Sequence, residues 1–451
     1  MNRRGFSLVL CLMVVLSSVG FVLYRETTVT LPAPMNSEAY IWQRVWSDAL
    51  VRSIETANPF IETWHILASE HDQNGNWHDS GWGDDVRPVL GRDETAERRA
   101  PAYDSGARGG SASEPDFRQR RAGSIVKALA THRVIAVFRL SGRRPDLDPA
   151  EVASHIRALL ARWIASGIRV NGVEIDHDCA TAQLAIYARF LAALRADLAP
   201  GTKLTITTLP AWLGASSLPS VLAQADRAVL QLHAVRDPVE GLFGPAQARD
   251  SAERFAPIAS QYLRSHQWRI ALPSYGSLVV WGQDGHLAAV ESEASQGIAP
   301  GAGQELVVEP TRVAAFMRLI ESRRPEGLKG WIWFRLPVAG DRRAWSLESW
   351  SNLVRHEPVR EAMSVETQPA GQALYHIIVR NAGTIDALPP PVLHVTSPCR
   401  GIGAQNPYRL DYDRAGPVLL RTQTRLLPVG QSFIAAWLSC PQEEAPIHVT
   451  P

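Results

Sequence analysis

Residues 170–180, Val-Asn-Gly-Val-Glu-Ile-Asp-His-Asp-Cys-Ala (VNGVEIDHDCA), decide how this chain is read. Side chains alternate across a strand, so Glu174, Asp176 and Asp178 share one face while Val173, Ile175 and His177 share the other. The apolar back suits packing under helices; the acidic front needs a polar cavity or an open mouth. Same-face neighbours stand about 6–7 Å apart along a strand. Three carboxylates so spaced in a partly dry site do not all ionise normally, and at least one keeps its proton towards neutral pH. A protonated carboxylic acid beside ionised neighbours is a general acid. The structural alternative is an ion-pair network with Arg139 or Arg335 on neighbouring strands. Burying three acids for structure alone is costly, which favours chemistry.

The surrounding sequence places this strand in a barrel. Eight apolar, β-rich runs are found, over Tyr40–Trp46, Ile61–Ala68, Val134–Leu140, Val170–Asp178, Leu204–Leu209, Ala228–Ala234, Arg269–Tyr275 and Gly330–Leu336. Segments of helical periodicity separate most of them. Pro149–Ser166 is entered through Asp148-Pro149 and spaces Val152, Ile156, Leu159, Leu160, Trp163 and Ile164 at three and four residues. Ala182–Leu198 repeats the pattern with Leu184, Tyr187, Leu191, Leu194 and Leu198. Alternating strands and helices predict a parallel sheet, and eight strands predict a closed (β/α)8 TIM barrel over 35–358. No Gly-rich phosphate fingerprint follows a strand, which disfavours a dinucleotide-binding sheet.

Three segments stand apart. Residues 72–124 are polar and rich in Gly, Arg, Asp and Ser, and are read as a flexible insertion. Within them Asp72, Asn74 and Asn76 alternate as in a calcium loop, but Trp77 occupies the place that needs Gly, so no metal is assigned. Residues 359–451 carry short strands with Asn, Gly and Pro turns and no helix between them, as a small β-sandwich does. Residues 1–34 hold Arg3-Arg4, an apolar run from Phe6 to Tyr24 and a linker, Leu31–Pro34. Roughly 20 apolar residues span a bilayer, and the arginines favour an N-inside orientation. The segment is expected to be an uncleaved membrane anchor or a cleaved signal peptide. Either exports the rest to a periplasmic or extracellular location. Cysteine use agrees, since Cys399 and Cys440 lie in one C-terminal segment and are expected to form a disulfide, leaving Cys179 as a packing residue.

The chain has 451 residues, 45% hydrophobic and 20% charged, with a formal net charge of +1. That is an ordinary globular composition without a basic field, and it argues against nucleic-acid binding. No cofactor is expected. Ends of the other strands supply further candidates for the mouth: Gln231 and His233 share a face, Tyr275 ends the seventh strand, Trp331 or Trp333 lies on the eighth beside Arg335, and Trp42, Trp46 and Trp212 offer flat rings. Aromatic faces with carboxylates are what a sugar cleft needs.

The motif resembles a known pattern. Asn171-Gly172-Val173-Glu174-Ile175-Asp176-His177-Asp178 is similar to the fourth-strand signature D-G-x-D-x-D-x-E of family 18, chitinase-like glycoside hydrolases, identical at Gly172 and Asp176. The resemblance implies that Asp178 donates the proton to the leaving oxygen and Asp176 is its partner. Leu272–Gly276 (LPSYG) and Gly330–Phe334 (GWIWF) resemble the family's seventh and eighth strands. Where the family carries Tyr-Asp on strand six to position an acetamido group, this chain has His233-Ala234. A longer run of similarities, from Tyr40-x-Trp42-Gln43-Arg44-x-Trp46 through EIDHDCAT, LPAWL, LQLHAV and LPSYG, resembles a bacterial family of unknown function grouped with the glycosidase barrels. The expected function is an exported glycoside hydrolase acting on a cell-envelope or extracellular polysaccharide, with Asp178, Asp176 and Glu174 as its acids. The alternative is a non-catalytic carbohydrate-binding barrel. A metal-dependent hydrolase using Asp176, Asp178 and His233 is disfavoured because His177 faces away from the acids.

Overall fold

The structure, a computed structural model, describes residues 33–44, 46–80, 123–141, 147–233, 241–284, 286–292, 303–396, 399, 401–414, 416–440 and 448–450. The described residues from Met35 onward belong to one compact unit. The expected anchor or signal falls outside the described residues. Among those described, no helix is long and apolar enough to cross a membrane.

Eight parallel strands close into a barrel: β1 (Asn36–Ile41), β2 (Thr63–His71), β3 (Arg133–Leu140), β4 (Val170–Asp176), β5 (Lys203–Thr208), β6 (Arg227–Gln231), β7 (Gln267–Pro273) and β8 (Leu328–Phe334). Each pairs with the next, and β8 returns to β1 through Asn36↔Gly330 to Ala39↔Trp333. A helix follows every strand: α1 (Asp48–Ala57), α2 (residues 123–129), α3 (Pro149–Ala165), α4 (Leu184–Asp197), α5 (Leu218–Leu222), α6 (Pro245–Tyr262), α7 (Pro310–Arg323) and α8 (Leu347–Val354). This is the expected (β/α)8 architecture. The α3 helix starts where the sequence places it, because Asp148 caps it by accepting from the Ala150 amide at 2.9 Å and Pro149 needs no partner at the first turn.

The first strand departs from expectation. It runs from Asn36 to Ile41, beginning four residues before the apolar run Tyr40–Trp46 does and ending five before it does. Its polar start is inside the protein, since Ser37 and Glu38 are buried and Glu38 reaches basic partners on β6 and β7. Residues 72–124 are described only at their two ends. Trp77–Asp79 pairs antiparallel with Ser69–His71, the α2 helix forms at the far end, and residues 81–122 lie outside the described set. Asp72 closes the intervening turn by accepting from the amides of Asn74 and Asn76 at 2.8 and 2.9 Å.

Outward side chains of the strands pack under the helices in one large core that includes Trp64, Phe138, Ile175, Trp268, Trp331 and Trp333. Inside the barrel a smaller apolar layer joins Tyr40, Trp42, Leu67, Val137, Val229, Ala271 and Ile332, with Phe334 against it. The C-terminal part forms two four-stranded antiparallel sheets around their own core of Ile377, Val379, Leu393, Leu419, Ala435 and Leu438. Cys399 and Cys440 are joined there as a disulfide. Buried Asp386 ties these sheets to the barrel by accepting from the Ser346 amide and hydroxyl at the start of α8, both at 2.6 Å.

Candidate active site at the carboxylate end of the barrel

The C-terminal ends of barrel strands are where inward side chains meet loops, which makes this mouth the place for chemistry. The β4 strand delivers its acids at three depths. Glu174 is fully buried on the barrel axis, Asp176 is 4% exposed just below the mouth, and Asp178, two residues past the strand end, is exposed. On the opposite face His177 turns outward, bonds the Leu140 carbonyl through Nδ1 at 2.8 Å and packs on Tyr187 of α4. The alternation read from the sequence holds from Glu174 to His177, and the strand ends before Asp178. Asn171 is not at the mouth: it accepts from the Val134 amide at 3.1 Å, where the register between β3 and β4 shifts.

Asp176 is held by two donors on its Oδ1, the Thr207 hydroxyl of β5 at 2.9 Å and the Gln231 amide of β6 at 3.1 Å. Burial, and next the charge of Asp178, push its carboxyl from an ordinary 3.8 up to about 7, against the pull of Arg139. Asp176 thus keeps or loses its proton around neutral pH. Among the described residues no hydrogen bond or ion pair engages Asp178.

A further acid completes this side. Glu70, at the end of β2, bonds Arg44 Nη2 at 2.6 Å and the Ser141 hydroxyl at 3.1 Å, and lies 3.7 Å from Arg139 Nε. These partners outweigh its burial and hold it below the usual carboxylate range. Arg139 also covers the Trp42 ring, 5.7 Å from its centroid.

The facing side is aromatic. His233 stacks on Phe334 with centroids 4.8 Å apart and planes 14° apart, and its Nδ1 lies 3.3 Å from the Tyr275 hydroxyl. Phe334 also meets Trp42, Tyr40 and Tyr275 edge-on at 4.9, 5.5 and 5.6 Å. Burial lowers His233 from 6.5 to about 4, so its ring is neutral at physiological pH, and its buried Nε2 has no partner among the described residues. Arg335 lies over the Tyr275 ring at 5.4 Å and pairs with Asp341, rather than with the acids of β4.

Four expected site residues lie elsewhere. Trp331 and Trp333 point out of the barrel: Trp331 donates to Glu321 of α7 at 3.1 Å, and Trp333 donates to the Ser37 hydroxyl at 3.2 Å and packs against Trp345 and Trp350. The inward positions of β8 are Gly330, Ile332 and Phe334. Trp212 is also buried outside the barrel, donating to the Cys179 carbonyl at 3.1 Å and leaning on Tyr187. Trp46 belongs to the outer core as well.

Below the mouth lies a buried polar layer that the sequence does not announce. Glu174 accepts from the Tyr40 hydroxyl at 2.5 Å and meets His65 Nδ1 at 2.7 Å, while His65 Nε2 meets Glu38 at 2.9 Å. Arg269 and Arg227 close on Glu38 from β7 and β6 at 2.8 and 3.0 Å. The only local signal is that Glu38, Tyr40, His65, Arg227 and Arg269 occupy same-face positions of short strands. Their partners are too distant in sequence for any window to join them.

Residues 130–339 match a family model described as a domain of unknown function (DUF3142), and residues 364–441 match a second, also a domain of unknown function (DUF8456). No curated protein matches. Solved structures similar to this chain include the spore cortex-lytic enzyme SleL of Bacillus cereus, at 12% identity and a TM-score of 0.41 over 72% of this chain and 75% of that one. A chitinase of Chromobacterium violaceum aligns at 13% identity and a TM-score of 0.42 over 71% and 98%. A chitinase-like lectin of tamarind aligns at 9% identity and a TM-score of 0.39 over 72% and 99%. The structural neighbours are chitinase-like proteins, and the matching family models carry no function.

Proposed function

We propose that this protein is an exported glycoside hydrolase that cleaves glycosidic bonds of a cell-envelope or extracellular polysaccharide. The observation that carries the reading is the pair at the barrel mouth: a buried Asp176 pushed up to about 7 by its burial and by the charge of an exposed Asp178 two residues on. A glycosidic oxygen is a poor leaving group until it is protonated, and a carboxyl that holds its proton near neutrality supplies that proton. Asp176 stores it, and Asp178, exposed at the rim, presents it to the leaving oxygen. The C–O bond then breaks with its electron pair going to oxygen, water adds to the anomeric carbon, and the water's second proton returns to the carboxylate pair. The aromatic wall of Phe334, His233 and Tyr275 is a face on which a sugar ring stacks, with the neutral His233 Nε2 as a polar contact. The similarity of Asn171–Asp178 to the chitinase-like signature supports the same assignment of roles.

Export rests on Arg3-Arg4 and the apolar run behind them. A reporter enzyme active only outside the cytoplasm, fused after residue 34, is expected to be active; a silent fusion would remove export from the reading.

One observation favours a second reading, a carbohydrate-binding barrel without turnover. The position that donates the proton in chitinase-like enzymes is Glu, and Asp178 is shorter by one methylene. A panel of envelope and extracellular polysaccharides separates the two. Hydrolysis by wild type, lost in Asp178→Asn, supports the enzyme. Calorimetric binding with no new reducing ends supports the binding barrel, and equal hydrolysis by both forms removes Asp178 as the donor.

A further inference from the structure

Two carboxylates and one imidazole fill the barrel axis beneath Asp176. His65 Nδ1 is 2.7 Å from Glu174 Oε2 and His65 Nε2 is 2.9 Å from Glu38 Oε2, and all three side chains are buried to 1% exposure or less. A neutral imidazole carries a single N–H. With both acids ionised, its other nitrogen would face a carboxylate oxygen, lone pair to lone pair, at hydrogen-bond distance. The trio must therefore hold one proton more than a neutral ring.

The groups around the trio decide where that proton sits. On the β1 side, Glu38 has Arg269 Nη2 at 2.8 Å and Arg227 Nη2 at 3.0 Å. Against its burial, first Arg269 and then His65 and Arg227 hold Glu38 well below the usual range, so it is ionised. Gly330 makes room for this contact: a Cβ there would stand 2.3 Å from Arg269 Nη1 and 2.2 Å from the Asn36 carbonyl. On the β4 side, Glu174 Oε1 accepts the Tyr40 hydroxyl at 2.5 Å. Burial, then the Glu174 charge, push Tyr40 far above its usual ionisation, so it remains a donor. The Tyr40 hydroxyl thus occupies Oε1, and the extra proton of the trio lies between Oε2 and His65 Nδ1. Burial opposes charge on His65, but Glu174 and Glu38 together raise its proton affinity. The next acid up the same strand is Asp176.

We propose that His65 is a positioning residue: an imidazolium clamped between Glu38 and Glu174 that keeps Glu174 a carboxylate and leaves the movable proton of the site on Asp176. The catalytic consequence rests on the glycosidase reading, whereas the charge state does not. Without the cation, a buried Glu174 would take up a proton itself and the acid above it would titrate lower.

The test uses the whole chain with nitrogen-15 histidine and carboxyl-carbon-13 glutamate. In wild type, one histidine is expected to show both ring nitrogens protonated and unchanged from pH 5 to pH 9, and isotope-edited infrared spectra are expected to show no protonated glutamate at pH 7. In His65→Gln that histidine signal disappears and a protonated glutamate band appears at pH 7; His65→Gln with Glu174→Gln removes the band. A wild type without a doubly protonated, non-titrating histidine, or with a protonated glutamate, would overturn the proposal, and these wild-type spectra decide even if the variants do not fold. Where wild type hydrolyses a glycan, His65→Gln is expected to move the alkaline limb of the rate profile down by about one pH unit with KM unchanged; an unmoved limb would overturn the link to Asp176. Absence of hydrolysis by wild type would defeat the glycosidase reading alone, and the spectra would still decide the charge of His65.

Discussion

Replacing Asp176 by Asn is expected to stabilise the protein above neutral pH. The wild-type carboxyl has an ordinary value of 3.8 and is pushed up to about 7 in the fold. Between those values the folded chain binds a proton that the unfolded chain has released, so wild-type stability falls as pH rises through this window. At about 1.4 kcal/mol per pH unit, the destabilisation at pH 8 is roughly 4 kcal/mol, of which roughly 2.5 kcal/mol develops above pH 5. Asn keeps an oxygen for the Thr207 and Gln231 donors at 2.9 and 3.1 Å and carries no charge. Its amide hydrogens then need acceptors, which costs about 1 kcal/mol. The net gain over wild type at pH 8 is therefore about 1–3 kcal/mol, shrinking and reversing as pH falls to 4. Urea denaturation followed by tryptophan fluorescence at pH 4, 6 and 8 measures it. A stability difference that does not change with pH, or an Asn variant less stable at pH 8 than at pH 4 relative to wild type, would refute the reasoning.

Other expectations are more local. Opening the Cys399–Cys440 bond, by reduction or by Cys440→Ser, releases a loop closed over a sequence separation of 41. The C-terminal sheets are expected to lose about 4 kcal/mol by loop entropy, read as early protease cleavage after residue 358 while barrel fluorescence persists. Gly172→Ala places a Cβ 2.8 Å from the Lys203 carbonyl and 3.1 Å from Ile135. It is expected to cost about 1–3 kcal/mol, measured as a lowered denaturation midpoint; an unchanged midpoint would mean that β4 and β5 can part more easily than their packing implies. Asp386→Asn weakens the charged cap on Ser346 and is expected to uncouple the unfolding of the C-terminal sheets from that of the barrel, seen as two calorimetric transitions in place of one.

The sequence carries the barrel clearly where a strand or helix is self-contained. The back-to-front alternation from Val173 to His177 and the capped periodicity of Pro149–Ala165 are local signals, and the structure realises both, although the strand ends at Asp176, short of Asp178. Local signals fail where polar residues are buried by distant partners. Asn36-Ser37-Glu38 falls outside the first apolar run because the groups that satisfy Glu38, namely His65, Arg227 and Arg269, come from three other strands. The tryptophans of β8 mislead for a related reason. A large aromatic on a strand suits either face, and only the neighbours Ser37, Glu321 and Trp350 show that Trp331 and Trp333 look outward. Phe334, between them and Arg335 in the chain, takes the mouth position instead.

The most direct measurement of the central claim is glycan cleavage in oxygen-18 water. A polysaccharide from the panel, incubated with wild type, is expected to yield new reducing ends whose anomeric oxygen carries the label, with at least a hundredfold slower release in Asp178→Asn, the order of magnitude of a lost general acid. No labelled reducing ends from any polysaccharide, or the same rate from Asp178→Asn, would contradict cleavage by the carboxylate pair at the mouth of this barrel.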